Sequence, residues 1–253
     1  MGTELDIEQR RNKILELLST QGKVKVSFLS KTFGVSEVSI RSDLAALEEM
    51  GLLSRVHGGA IGASNSYYGM SFSQRKKTNR QEKQAIANKA CEYVEENETV
   101  MINSGTTSLL FYRALTAKFK NLTFVTNSIA IALESRGNVI LLGGKINGEY
   151  QFTYGADTRS QIENYHADKV FLSVDGITAS DGFSSYYEED VDILRVMIEN
   201  SAQTYVLADY TKIGRNAFVK VDGADRIDCL VTNEKPDPEL EKLKKLGVRI
   251  EFA

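Results

Sequence analysis

The chain has 253 residues, of which 42% are hydrophobic and 26% are charged, and its net charge is −3. This length is sufficient for a large apolar core and exceeds what one small domain needs. The slightly negative charge argues against a general binder of polyanions, and no run of about 20 apolar residues is present to span a membrane. Because the N-terminus is polar and lacks a signal-peptide pattern, we expect a cytoplasmic protein with no membrane partner.

Residues 1–62 have the pattern of a small helical DNA-binding domain. Apolar residues at helical spacing predict a first helix over residues 6–21, ended by Gly22. The alternation in KVKV predicts a short strand over residues 23–26. Ser27 is the expected N-cap of a second helix, because its hydroxyl can accept a hydrogen bond from a free backbone N–H.

A third helix follows Gly34 and is the candidate for reading DNA bases. Ser36 is its expected N-cap and Gly51 its expected end. Short apolar runs around Gly58-Gly59 predict a hairpin, or wing, so the whole segment is interpreted as a winged helix-turn-helix. The candidate DNA contacts lie off the apolar face of the third helix, on the wing and on the first helix: Arg10, Arg11, Ser36, Ser39, Arg41, Ser42, Arg55 and His57.

Charge alone does not indicate DNA binding for this segment. Residues 1–62 hold eight Lys or Arg and eight Asp or Glu residues, so their formal charges cancel. The alternative is that the third helix only packs within a small helical domain. The prediction of DNA binding therefore depends on the order of helices, glycine turns and hairpin.

Residues 63–80 differ in composition from the segments on either side. They are rich in Gly, Ser, Asn and Tyr and have no apolar periodicity, which is typical of a linker. The basic residues at its end have three interpretations: a solvated face, contact with the DNA backbone, or contact of Arg75 and Lys83 with a phosphate in the following domain. We therefore expect two domains, at residues 1–62 and 81–253.

From residue 81 onward, buried-strand patterns alternate with helix patterns. The strand segments are TVMIN, LTFVT, NVILLGG, KVFLSVDG, TYVLAD, LVTN and VRIEF. Short loops and helical patterns separate them, and the last helix is expected in PDPELEKLKKLG. This alternation predicts an α/β domain with a mostly parallel sheet.

Polar clusters follow several of these strands. Parallel α/β sheets bind ligands beyond the carboxyl ends of their strands, so these clusters are candidate effector contacts. Turn hydroxyls and backbone N–H groups at a helix start can surround a phosphate. Each cluster alone is more often a cap or a turn, but their recurrence predicts one pocket for a small, anionic, hydroxylated molecule. The candidates are Ser104, Gly105, Thr106, Thr107, Ser108, Thr126, Asn127, Ser128, Gly143, Gly144, Lys145, Asp175, Gly176 and Lys212.

No catalytic constellation is recognisable. The sequence has no GxGxxG fingerprint, no Walker loop, and no histidine or elbow serine in the strand-end turns. Glu188, Glu189 and Asp190 either include a base or are simply the acids that favour a helix N-terminus. Cys91 and Cys229 are expected to be buried free thiols, and no zinc-ligand spacing is present. We therefore expect no enzymatic activity, no cofactor and no metal.

The ordered set of motifs resembles the DeoR family of bacterial transcriptional regulators over nearly the whole chain. The N-terminal part carries the resemblance in RRNKILELL and in IRSDL followed by GLL and HGGA. The C-terminal part carries it in INSGTTS, TFVTNS, ILLGG, ADKVFLSVDGI, VMIENS and LADYTKIGR. The resemblance implies a repressor of a sugar-utilisation operon, with a sensor domain that is related in fold to sugar-phosphate isomerases and is modulated by a phosphorylated sugar.

By the same resemblance, particular residues acquire expected roles. The turns Ser104–Ser108 and Thr126–Ser128 match the family's phosphate and hydroxyl turns. Asp175-Gly176 matches its acidic turn, and Lys212 matches its late lysine.

The chain departs from the common family pattern at three places. Tyr186-Tyr187 stand where Pro-Asn is frequent, Leu194 where Lys is frequent, and Ser42 where a second Arg is frequent. Tyr187 is expected to face the effector pocket, and Glu189 is a further candidate contact.

Three interpretations of the whole chain follow. The first is a repressor that binds a double-stranded DNA operator as a homodimer or homotetramer, because operators favour symmetric proteins. The second is an isomerase-like enzyme with an appended DNA-binding domain, in which Asp175 and a glutamate act as acid and base. The third is a scaffold that binds no ligand and only pairs subunits.

Overall fold

The computed structural model describes residues 7–21, 23–49, 53–62, 70–233 and 237–253. Two compact units divide the chain between Ser71 and Phe72, and each is described by itself. The predicted helix ends at Gly22 and Gly51, and residues 63–69 of the predicted linker, lie outside the described residues.

The described part of the first unit contains helices and a small antiparallel sheet. Its elements in chain order are α1 (Ile7–Gln21), β1 (Lys23–Lys25), α2 (Val26–Phe33), α3 (Glu37–Glu49), β2 (Leu53–Val56) and β3 (Gly59–Gly62). β3 lies between β1 and β2 and pairs with both. The apolar core consists of Ile14, Leu18, Val24, Val26, Leu29, Ile40, Leu44, Leu47, Leu53 and Ala60. This arrangement confirms the predicted winged helix-turn-helix.

Local sequence explains where several of these elements begin and end. Gly34 takes a left-handed backbone with φ 68° directly after α2, where other residues are strained. A Cβ at Gly59 would lie 2.1 Å from the carbonyl oxygen of Val24, so only glycine lets β1 and β3 approach this closely. The prediction that Ser27 caps α2 is wrong, because buried Val26 already belongs to the helix and β1 leads into it without a loop.

The second unit alternates strands and helices. Its helices are α4 (Phe72–Lys77), α5 (Arg80–Ala90), α6 (Thr106–Lys118), α7 (Ile129–Leu133), α8 (Ala156–Ile162), α9 (Glu188–Glu199) and α10 (Pro238–Lys245). Its strands are β4 (Thr99–Ile102), β5 (Thr123–Thr126), β6 (Asn138–Leu141), β7 (Lys145–Asn147), β8 (Phe152–Tyr154), β9 (Ala167–Ser173), β10 (Gly176–Thr178), β11 (Gly182–Ser185), β12 (Ser201–Leu207), β13 (Val219–Asp222), β14 (Cys229–Thr232) and β15 (Arg249–Phe252). Short 3₁₀ turns occupy Cys91–Tyr93, Tyr210–Lys212 and Ala224–Arg226.

A seven-stranded parallel sheet forms the centre of the second unit. Its order is β15-β14-β12-β9-β4-β5-β6, and every adjacent pair runs parallel. Successive strand residues face opposite sides, so Met101 packs in one apolar core and Ile102 in the other. The order of the strands along the sheet reverses between β4 and β9, which is the switch point where such sheets bind ligands. The predicted α/β fold is confirmed.

The segment directly before this sheet differs from the predicted linker. Residues 72–77 form α4, and the Phe72 side chain is 7% exposed within an apolar core of the second unit. Burial of this ring stabilises a helix that has no apolar periodicity of its own. Two smaller antiparallel sheets are formed by β7-β8 and by β10-β11-β13. None of the helices in the described segments combines the length and hydropathy needed to cross a bilayer.

Candidate functional site

The helix α3, which presents the candidate base contacts, begins as the sequence predicts. The backbone N–H of Ser39 donates to Oγ of Ser36 at 3.1 Å, so Ser36 is the N-cap. Arg41 and Ser42 are exposed, whereas Ile40 is fully buried on the opposite face. DNA contacts by the exposed residues stay predictions.

Two ion pairs organise basic side chains on this surface. Nη2 of Arg41 lies 3.0 Å from Oε2 of Glu37, one helical turn earlier. Arg55 of β2 contacts Glu48 of α3 twice, through its backbone N–H at 2.7 Å and its Nε at 2.6 Å. These hydrogen bonds lower the pKa of Glu48 below its usual value. They hold the wing against α3, and His57 is exposed in the wing turn.

Arg10 is engaged inside the first unit, and a contact with a DNA phosphate stays a prediction for it. This side chain is buried, and its Nε lies 2.6 Å from Oδ2 of Asp43. Arg11 contacts the other oxygen of the same carboxylate at 3.1 Å. Asp43 is only 2% exposed. The two arginines therefore join α1 to α3 inside the unit, because a buried carboxylate needs nearby positive charge.

Four cations lie together beyond the carboxyl ends of β9 and β12, and we call Arg75, Lys83, Lys212 and Arg215 the cation cluster. Nη1 of Arg75 lies 3.3 Å from Oδ1 of Asp175, and Nζ of Lys212 lies 3.7 Å from the same oxygen. Nζ of Lys83 donates to the carbonyl oxygen of Arg75 at 2.8 Å. Arg75 and Lys83, for which contact with a phosphate was one of three interpretations, thus lie in one site with Lys212.

The cation cluster carries an excess of positive charge. The carboxylates that interact with it are Asp175, Asp209 and, more weakly, Glu82, three against four cations. Nη1 of Arg215 is buried and meets no hydrogen-bond acceptor within the described segments. Gly176 permits this arrangement, since a Cβ there would lie 2.5 Å from the carbonyl oxygen of Arg215. An anionic ligand would supply the missing acceptor and charge.

Burial sets the protonation of these groups. It lowers the pKa of Lys212 to about 8 against the attraction of Asp175 and Asp209, and it lowers the pKa of Lys83 to about 8 as well. Burial also opposes ionisation of Asp175, but Arg75 and Lys212 outweigh it and hold the pKa of Asp175 below its usual value. Near pH 7 the cluster is therefore charged, as anion binding requires.

Two tyrosines border the cation cluster. The ring centroids of Tyr150 and Tyr187 are 4.0 Å apart. Cζ of Arg75 lies 5.3 Å from the first centroid and 5.4 Å from the second, which is cation–π distance. Nη2 of Arg75 also donates to the hydroxyl of Tyr187 at 2.8 Å. Tyr187 is therefore part of the site, next to the guanidinium of Arg75.

The turn after β4 packs against the end of β9 at the switch point. Nδ2 of Asn103 donates to the carbonyl oxygen of Ser173 at 2.9 Å, and its Oδ1 accepts from the N–H of Ser173 at 2.8 Å. A Cβ at Gly105 would lie 2.6 Å from Cβ of Ser173, so glycine is needed here. Ser104 and Gly105 remain partly exposed, whereas the buried members of the turn are Thr106, Thr107 and Ser108.

The turn after β5 is entirely buried and bonded to protein groups. Thr126, Asn127 and Ser128 are each 0% exposed. Ser128 caps α7 through its hydroxyl, and Asn127 accepts from the N–H of Ser104 at 3.1 Å while donating to Asp190 at 3.2 Å. The capping alternative therefore accounts for Ser128, and contact of this turn with the effector stays a prediction.

The glycine pair after β6 is needed for packing. A Cβ at Gly144 would lie 2.1 Å from Oγ1 of Thr158, and that hydroxyl donates to the carbonyl oxygen of Gly143 at 2.7 Å. Lys145 begins β7 and is exposed. β6 is an edge strand, two strands away from the switch point between β4 and β9, so effector binding by Gly143, Gly144 and Lys145 stays a prediction.

At the start of α9, the buried carboxylate is Asp190, whereas Glu189 is exposed. Asp190 is 5% exposed, and its Oδ1 accepts from Nδ2 of Asn127 at 3.2 Å. Burial raises the pKa of Asp190 to about 7, which the hydrogen bond from Asn127 offsets only in part. Glu189 remains an untested candidate contact at the helix start.

This buried carboxyl predicts that folding stability falls between about pH 4 and pH 7. In that range native Asp190 keeps its proton, whereas the unfolded chain has released it near the ordinary value of 3.8, so raising the pH favours unfolding. Asp190→Asn keeps an oxygen that can accept from Asn127 but does not titrate. We expect its melting temperature to exceed that of the unaltered protein at pH 8 and to approach it at pH 4–5. An equal difference at both pH values would contradict this.

Sequence reasoning missed several residues of these surfaces. Of these residues, only Arg215 could have been found from the local sequence, because it follows Lys212 by three positions in the same polar loop. The other omissions are recognisable only from their contacts or exposure: Val38, Tyr150, Asn103, Ser173 and Asp209.

Within the described residues, no group of three or more His, Cys, Asp or Glu side chains is arranged to hold a metal.

Two family models match the chain. The DeoR-like helix-turn-helix domain matches residues 10–66, and the DeoR C-terminal sensor domain matches residues 78–234. The first covers most of the winged helix-turn-helix. The second covers six of the seven strands of the parallel sheet together with Lys83, Lys212 and Arg215, whereas Arg75 precedes the matched range.

Whole-length relatives agree with these matches. The HTH-type transcriptional regulator GolR of Listeria innocua is 32% identical, over 97% of this chain and 98% of that protein. The putative aga operon transcriptional repressor of Escherichia coli O157:H7 is 33% identical, over 96% of this chain and 92% of that protein. The glycerol-3-phosphate regulon repressor of Escherichia coli K12 is 33% identical, over 90% of this chain and 91% of that protein.

Among solved structures, ribose 5-phosphate isomerase A of Methanocaldococcus jannaschii is similar with a TM-score of 0.40 and 17% identity, over 54% of this chain and 55% of that chain. A similarity of this size says nothing about activity. The family models and the whole-length relatives, together with the winged helix-turn-helix and the sheet, are sufficient: the chain belongs to the DeoR family of transcriptional regulators.

Proposed function

We propose that this regulator represses genes of carbohydrate utilisation and that a phosphorylated sugar, bound at the cation cluster, modulates its affinity for operator DNA. The observation that carries the proposal is the excess of buried positive charge at the switch point of the sheet. Relatives that are named as repressors of the aga operon and of the glycerol-3-phosphate regulon support the carbohydrate context.

The phosphate group is the part of the ligand that the cluster would recognise. A phosphate carries up to two negative charges and accepts several hydrogen bonds, and buried arginines bind it in a bidentate manner. Nη1 of Arg215 lacks an acceptor among the described residues, and Lys212 is 5% exposed. Both would gain a partner from a phosphate, which favours binding of an anion over binding of a neutral sugar.

The start of α6 supports the same location. Free backbone N–H groups and the helix dipole favour an anion at a helix N-terminus, and Ser104 and Gly105 of this turn are partly exposed. Oγ of Ser104 donates to the carbonyl oxygen of Tyr150 at 3.3 Å, and Tyr150 stacks on Tyr187 beside Arg75. The turn and the cation cluster are thus joined through one chain of contacts.

Control of DNA binding requires that the ligand binds two arrangements of the protein with different affinity. Arg75 belongs to α4, the first helix of the second unit, and α4 follows the last wing strand after nine residues. A ligand that draws Arg75 away from Asp175 and Tyr187 would move α4 and the chain that leads to the wing. We expect a homodimer or homotetramer on a symmetric operator.

The isomerase-like alternative is disfavoured by the state of Asp175. A general base needs a pKa near the working pH and a free approach to the substrate. Arg75 and Lys212 both contact Asp175 and hold its pKa below the usual value. The carboxylate therefore offsets part of the positive charge of the cluster and is a weak base.

A panel of ligands tests the proposal. Purified protein is heated with hexose phosphates, pentose phosphates, triose phosphates, the matching free sugars and inorganic phosphate. At 100 times its dissociation constant a specific ligand stabilises the native state by about 2.7 kcal/mol. We expect a rise in melting temperature with at least one sugar phosphate and none with its free sugar, together with altered binding to the DNA upstream of the regulator's own gene.

Three outcomes of this panel would contradict the proposal. An unchanged melting temperature with every phosphate would support a scaffold that binds no ligand. Conversion of a sugar phosphate to its isomer by the purified protein would support the enzyme. A rise with inorganic phosphate alone would locate the anion site but contradict recognition of the sugar.

A further inference from the structure

The α3 surface contains an apolar side chain that packing does not explain. Val38 is 75% exposed, the highest value among the large hydrophobic residues described in the first unit. Ile40 and Leu44 fix the buried face of the helix, so Val38 is directed away from the core. A β-branched residue at an exposed helix position gains no burial and lowers helix propensity. Single exposed apolar side chains are common, but this one lies at the start of the helix that presents the candidate base contacts, where its methyl groups are available to DNA.

The neighbours of Val38 indicate what that contact is. Residues three and four positions apart share a helix face, so Val38 lies next to Arg41 and Ser42. The contact of Arg41 with Glu37, at 3.0 Å, holds the guanidinium toward the first turn of α3, the turn to which Val38 belongs. The start of α3 thus presents three kinds of group on one small patch: the guanidinium of Arg41, the hydroxyl of Ser42 and the two methyl groups of Val38.

These groups match the chemistry of the DNA major groove. In the major groove, O6 and N7 of guanine accept two hydrogen bonds from the guanidinium of an arginine, and the apolar groups are the C5 methyls of thymine. The N-terminal residues of a recognition helix contact the base edges. We infer that Val38 packs on the C5 methyl of a thymine in the base pair next to the guanine that Arg41 binds, and that Val38 thereby determines part of the operator sequence. This inference rests on the DNA-binding role of the family.

The test removes the thymine methyl without altering any hydrogen-bonding group. The unaltered full-length protein first selects its tightest duplex from a random double-stranded library. Each thymine of that duplex is then replaced by deoxyuridine, one position at a time, and binding is measured by fluorescence anisotropy. We expect one position per half-site, adjacent to a guanine, to lose about fourfold in affinity, the effect of one methylene-sized apolar group.

Val38→Ala supplies the matching change in the protein. Alanine has a higher helix propensity than valine, so the variant should fold at least as well. We expect it to bind the thymine duplex several-fold more weakly, to lose the deoxyuridine effect at that one position, and to keep the salt dependence of binding, which reports phosphate contacts. Ile146→Ala is the control, because Ile146 is also exposed, at 65%, but belongs to β7 of the second unit. It should bind as the unaltered protein does.

Two results would overturn the inference: no deoxyuridine position affects the unaltered protein, or Val38→Ala retains the same sensitivity. Failure to select any duplex would be a different outcome. It would contradict the DNA-binding role itself, and the inference with it.

Discussion

Lys212→Met is expected to weaken binding of the phosphorylated sugar by about 2–5 kcal/mol, which is roughly 30-fold or more. Methionine has a similar length and no charge, so the change removes the ammonium and keeps most of the packing. Lys212 is 5% exposed, and a charge in such a site is screened little by water. Calorimetric titration with the sugar phosphate that gives the largest thermal shift measures the effect.

Lys242→Met is the matched control for this change. Lys242 is 63% exposed and pairs with Glu239 on the surface of α10, so its removal should leave ligand affinity unchanged. Lys212→Met should still bind operator DNA when no ligand is present, because Lys212 belongs to the second unit. A ligand affinity within twofold of the unaltered protein would show that the phosphate binds elsewhere.

Asp43→Ala is expected to destabilise the winged helix-turn-helix by about 3–5 kcal/mol, the usual effect of removing one partner of a buried ion pair. The change leaves the guanidinium of Arg10, which is 8% exposed, without a counter-charge. A domain of this size has a total stability of about 5–15 kcal/mol. Hydrogen exchange read by mass spectrometry should show faster exchange in α1 and α3, while the parallel sheet keeps its protection.

Arg41→Ala provides the contrast, because Arg41 and Glu37 form an exposed pair. We expect this variant to lose less than about 0.5 kcal/mol of stability but about 1–3 kcal/mol of operator affinity, if the guanidinium reads a guanine. Normal exchange in α1 and α3 of Asp43→Ala would contradict the structural role of the buried pair. Unchanged operator binding by Arg41→Ala would remove it from the candidate base contacts.

Features that depend on neighbours in sequence were predictable. The hydroxyl of Ser36 caps α3 because a cap uses groups three residues apart. Gly34 ends α2 because a left-handed backbone strains other residues. The alternation of strand and helix patterns predicted the parallel sheet, and it placed Asp175 and Lys212 at strand ends. Each of these signals lies within a few residues of its effect.

The same local signals were ambiguous for the turns. Ser104 and Ser128 both follow strands and both precede helices, so their sequence contexts are alike. Only packing distinguishes them, since Ser104 is partly exposed at the switch point whereas Ser128 is 0% exposed. The sequence around a hydroxyl does not show which of these two environments it has.

What the sequence alone determined is therefore the kind of protein: a winged helix-turn-helix, a parallel α/β sensor and polar strand ends in the order typical of one family. The tertiary structure decided which polar residues share a site. Arg75 meets Asp175 across 100 positions, and Arg10 meets Asp43 across 33. The reason is that charges interact through space and are strengthened by burial, and neither distance nor burial is encoded in the spacing of residues along the chain.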